Sequence, residues 1–76
     1  MIDDESIRTL RFLLARLERI SADSVTAHRA SGVRGAMLRA VELLESGEQI
    51  SSFDLRRLIE SGYALLRRAA KEKVGH

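Results

Sequence analysis

The side chains best equipped for chemistry in this chain are one internal imidazole, His28, and a large set of guanidinium groups. His28 shares a helix side with Ser24, Ser31 and Gly35, which stand four, three and seven residues from it. A metal site there would need a second ligand one helical turn away, and no Cys, Asp, Glu or second His occupies those positions. No metal is therefore expected, and His28 reads as a hydrogen-bonded structural residue. Catalysis finds no better footing. A Ser, His and Asp set has no specific placement, no Gly-rich phosphate loop follows a strand, and Glu-x-x-His does not occur. Glu42 and Glu45 share a helix side without an accompanying His, which reads as surface charge. The expectation is a protein with no catalytic residues and no cofactor.

The guanidinium groups point to binding instead. Of 13 basic residues eleven are Arg, set against 11 acids for a net charge of only +2. Arg56, Arg57, Arg67, Arg68 and Lys71 recur along the outer side of one helical pattern, with Tyr63 at the border. Such a stripe can neutralise several phosphates, which makes an Arg-mediated nucleic-acid-binding regulator the alternative reading. Glu60 and Glu72 interrupt it, and the segment before it lacks the tight turn of a helix-turn-helix. Arg29 lies close to an apolar side and is expected to snorkel or to meet Glu18, Asp54 or Glu60.

Phe12 fits a simple core pattern least well. It falls opposite a leucine stripe, flanked by Arg8, Arg16, Arg19 and Ala15. Either arginine stems cover the ring, or it anchors an interface of the aromatic and arginine composition that binding hot spots have. The favoured expectation is a small protein-protein interaction module that homodimerises through Phe12, Arg8, Arg16 and Arg19, with the small-residue face of the segment 24–45 as a second contact surface and another protein as a further partner.

The elements that must position these groups are helices. Apolar residues at Ile7, Leu10, Leu13, Leu14, Leu17 and Ile20 mark one helix face over about 4–20, opened by the acids Asp3, Asp4 and Glu5. A second helix is expected over 22–45, capped by Ser21 or Asp23 and closed at Ser46 and Gly47. Its expected inward face is Val33, Ala36, Met37, Ala40, Leu43 and Leu44, and continuity through Ser31 and Gly32 is favoured over a break there. A third helix over 52–73, capped by Ser51 or Ser52 and ended by Gly75, carries Leu55, Leu58, Ile59, Gly62, Leu65, Leu66 and Ala69 on one face. Arg56 with Glu60, and Arg68 with Glu72, are spaced for ion pairs on its outer side.

No segment alternates as a strand would, so the fold class is all-α, a three-helix antiparallel up-down-up bundle in a single domain over 1–76. The middle of the second helix is unusually slim. Ser31, Gly32 and Gly35, with Gly62 of the third helix, are expected to let helices two and three approach closely, because each interior Gly otherwise costs roughly 1 kcal/mol. A domain of 76 residues buries only about 60% of its unfolded surface, and without Cys no disulfide can staple it. A partner subunit would relieve that marginal stability. No apolar run is long enough to cross a bilayer, and a folded first helix needs its apolar face for the core, so no membrane role and a cytoplasmic location are expected. The bias to Arg, with Pro and Asn absent, suits a thermophile or a GC-rich genome equally.

Overall fold

The computed structural model describes residues 4–20 and 24–74, which form three helices: α1 (Asp4–Leu17), α2 (Val25–Glu45) and α3 (Ser52–Val74). Each helix packs on the other two, giving an up-down-up bundle with dimensions of 45 × 17 × 16 Å. The expected architecture holds. α1 contributes Leu10, Leu13 and Leu17 to the core, with Ile7, Leu14 and Ile20 packed at its edge, the stripe that its apolar spacing predicts. Leu65 is buried from α3, and Leu55, Leu58, Ile59 and Leu66 pack against the same core.

Local signals set the helix ends. α1 closes three residues before the expected boundary because its last turn tightens: Arg19 N–H bonds to the Arg16 carbonyl at 3.1 Å and Ile20 N–H to the Leu17 carbonyl at 3.2 Å. α2 starts at Val25, later than the expected residue 22. Ser24 is its N-cap, with extended backbone and an Oγ that accepts from Ala27 N–H at 3.0 Å. Asp3, Ser21, Ala22, Asp23 and Gly75, named above as helix limits, lie outside the described residues. At the other end Gly47 takes φ of 85°, with its N–H on the Leu44 carbonyl and Glu48 N–H on the Leu43 carbonyl. That pair of bonds is a Schellman closure, for which a Gly at this position is well suited. Ser51 caps α3, its Oγ accepting from Asp54 N–H at 3.0 Å, and Asp54 supplies negative charge to the first turn.

α2 runs unbroken through Ser31, Gly32 and Gly35, as favoured. Its orientation corrects the expected packing. The buried residues are Thr26, Ala30, Met37, Ala40, Val41 and Leu44, so the inward face is turned relative to the expected one and Ala36 is exposed. Ser31, Gly32 and Gly35 face outward, and a Cβ built on either glycine meets no atom within 4 Å. Only Gly62 serves close packing inside the bundle. A Cβ there would collide with Met37 Cε and lie 3.2 Å from Leu13 Cδ1. The physical reason is phase: Gly35 stands about 200° round the helix from Met37, and the bulk of Met37, Val41 and Leu44 claims the interior.

Candidate functional site

With the interior filled by aliphatic side chains, the groups able to act on anything lie on three outward faces. The first is on α1. Phe12 is 52% exposed, and the Arg16 guanidinium carbon sits 5.7 Å from the centre of its ring. Arg8, Ala15 and Arg19 are exposed beside it. Both features anticipated for this face are therefore present together, an arginine laid over the ring and a large part of the ring open to water.

The second face belongs to α2. His28, Ser31, Gly32, Gly35, Arg39 and Glu42 are all exposed and recur at spacings of three, four and seven, a flat strip along the outside of the helix. His28 is thus a surface residue and not the hydrogen-bonded structural histidine expected from its neighbours. Arg29 is also exposed, having no need of Glu18, Asp54 or Glu60 to offset burial. Two interior glycines here cost the helix roughly 1 kcal/mol each, and no contact within the described residues offsets that cost.

The third face is the outside of α3. Arg56, Arg57, Arg67, Arg68 and Lys71 are exposed, with Tyr63 at 44% and Phe53 at 68% exposure on the same helix. The Arg57 guanidinium carbon lies 5.8 Å from the Phe53 ring centre. Arg56 with Glu60 and Arg68 with Glu72 do not come within ion-pair distance, although the charge of Arg68 acts on Glu72; Arg11 of α1 pairs with Glu45 of α2.

Glu72 is held elsewhere. Its Oε1 accepts from Thr26 Oγ1 at 2.5 Å and from Thr26 N–H at 3.3 Å, tying the end of α3 to the start of α2. The Thr26 hydroxyl lowers the Glu72 pKa first, partial desolvation opposes it, and the Ser24 side chain, the Thr26 amide and the charge of Arg68 lower it further. α2 has no acid in its own first turn, so Glu72 brings the negative charge that the amino end of a helix favours. Thr26 is 2% exposed and fully satisfied by this arrangement.

No family model, curated protein or solved structure matches the chain. Function has to be read from these faces alone. Among the described residues no group of three His, Asp or Glu side chains could hold a metal ion, and no helix is long and apolar enough to cross a membrane.

Charge is distributed unevenly along the rod. Where α1 and α3 end and α2 begins, Arg16, Arg19, Arg29, Arg34, Arg67, Arg68 and Lys71 gather against Glu18 and the engaged Glu72. The opposite end holds Glu5, Glu42, Glu45, Glu48, Asp54 and Glu60 among fewer arginines. Two of the three helix dipoles run in the sense that this arrangement complements. A shallow hollow of about 580 Å³ lies at the acidic end, floored by Leu44, Ile50, Leu55 and Ile59 and rimmed by Glu48, Arg56 and Glu60. Sequence reasoning missed both the hollow and the Thr26–Glu72 link. The link joins residues 46 apart in the chain, and the hollow depends on how the connection between α2 and α3 folds back over residues 44–60.

Proposed function

We propose that this protein is a small, non-catalytic interaction module that forms a homodimer, and that the contact surface is the outward strip of α2. The observation that carries this reading is the pair Gly32 and Gly35, each in mid-helix with empty space beyond. Slim positions on an exposed helix let a second backbone approach closely, which offsets their cost in helix propensity. A twofold axis through Gly35, with the two α2 helices antiparallel, brings His28 of one copy opposite Glu42 of the other, since each stands seven residues from Gly35. The strip thus sets an imidazole N–H donor opposite a carboxylate acceptor twice over, a self-complementary contact.

The α1 face suits itself less well. A symmetric contact centred on Phe12 would bring Arg8 of each copy against Arg16 of the other, like charge on like. Of the two contact surfaces expected, the α2 face is therefore the better one for a symmetric dimer, and Phe12 with its arginines fits a different, acidic protein. A cytoplasmic setting belongs to the same proposal, supported by the absence of Cys.

Sedimentation equilibrium across a wide concentration range tests the assembly. Wild type is expected to be dimeric at high micromolar concentration. Gly35→Arg should be monomeric with unchanged helix content, because the added side chain meets nothing in its own chain. Phe12→Ala should leave the mass as in wild type. A wild type that stays monomeric throughout, or a Gly35→Arg protein that dimerises normally, overturns the proposal.

A further inference from the structure

α3 carries two Arg-Arg pairs, Arg56 with Arg57 and Arg67 with Arg68, eleven residues apart. Eleven residues make about three helical turns, so the pairs fall on one line about 16.5 Å apart along the axis. All four guanidinium groups and the Lys71 ammonium are exposed, and among the described residues none has a carboxylate within ion-pair reach. Of the two acids expected to interrupt this stripe, Glu72 is hydrogen-bonded to Thr26 while its charge still acts on Arg68, and Glu60 stands exposed among the arginines. Arg16 of α1 and Arg19 in the turn after it lie at the same end of the rod as Arg67 and Arg68 and extend the positive field.

We infer that the outward face of α3 binds single-stranded nucleic acid, its arginine pairs and Lys71 gripping phosphates while Tyr63 and Phe53 receive bases. Guanidinium forks match phosphate oxygens two at a time, which is the chemistry an arginine-rich, lysine-poor face selects. Exposed aromatic rings beside such cations are a stacking platform for unpaired bases, and a duplex keeps its bases out of their reach. A bilayer is a poorer fit, because it requires a continuous apolar face. The exposed large apolar side chains, Phe12, Val25, Leu38, Phe53 and Tyr63, are instead spread over three helices. This inference is independent of the α2 dimer.

Fluorescence anisotropy with a labelled, mixed-sequence single-stranded oligonucleotide, as DNA and as RNA, tests it at several salt concentrations. With four phosphates engaged, the logarithm of the binding constant should fall with the logarithm of salt at a slope of about −3. The double variant Arg67→Ala and Arg68→Ala should bind about tenfold more weakly at low salt and flatten that slope by about 1.4. Glu60→Gln should bind severalfold more tightly, a gain that misfolding cannot mimic. Gly35→Arg should bind as wild type does, which separates failure here from failure of the dimer. The inference is overturned by absence of binding at low salt, by wild-type affinity in the double arginine variant, by preference for a duplex of the same sequence, or by equal displacement with an acidic polypeptide or anionic lipid vesicles.

Discussion

Glycine does opposite things in two parts of this molecule. In α3, Gly62 is buried, and the space its missing side chain leaves is filled by Met37 from α2 and Leu13 from α1, so all three helices meet at that one position. In α2, Gly32 and Gly35 are exposed and the space beyond them is empty. The same residue thus closes the interior at one site and leaves a surface open at the other. The contrast teaches that a helix-weakening residue has to be judged by what occupies the volume it vacates. For Gly62 the occupant is within the chain; for the α2 pair the described residues supply none.

The sharpest way to break that contrast is Gly62→Leu. With Met37 and Leu13 fully buried and already filling the space, the fold should lose about 3 kcal/mol by urea denaturation. A near-neutral result would mean the waist of the bundle is loosely packed. Next in size, Gly32→Ala combined with Gly35→Ala should stabilise the isolated chain by roughly 1 kcal/mol per site, raising Tm at low protein concentration while weakening self-association. Stabilisation without any loss of dimer would remove α2 from the interface.

Because α2 is weakened by its own glycines, it should lean on its start. Ser24→Ala is expected to cost about 1 kcal/mol in wild type and less once both glycines are Ala, measured as a double-mutant cycle. The smallest effect concerns Glu72. Its carboxyl titrates below its ordinary value in the folded chain, so the ionised form stabilises the fold above the unfolded pKa, about 4.3. That contribution is lost as pH falls through the lower folded value. Glu72→Gln should therefore lose stability at neutral pH and show a flatter decline of Tm under acid than wild type. Parallel acid profiles for the two proteins would show that the Thr26 contact contributes nothing.

Much of the fold was legible because α1 and α3 have strong, well-phased stripes. Leu10, Leu13 and Leu17, and Leu55, Leu58, Ile59, Leu65 and Leu66, all face the core as their spacing implies. The turn at Gly47 was equally readable, since a left-handed position after a helix suits Gly. α2 was misread by part of a turn. Its alanines and glycines dilute the apolar signal, so Ala36 and Leu43 looked as good an inward choice as Thr26, Ala30 and Val41, and the glycines were turned inward with them, while Val33, Met37, Ala40 and Leu44 meet the core as expected. Of the outward faces, the α3 stripe was visible residue by residue, but its true charge was not. Glu72 is drawn onto Thr26, 46 residues away, so it is shared between the stripe and the start of α2.

The separation of charge along the rod makes each copy an electric dipole about 45 Å long. Two such rods laid side by side in opposite directions bring the negative pole of each alongside the positive pole of the other, so their moments cancel.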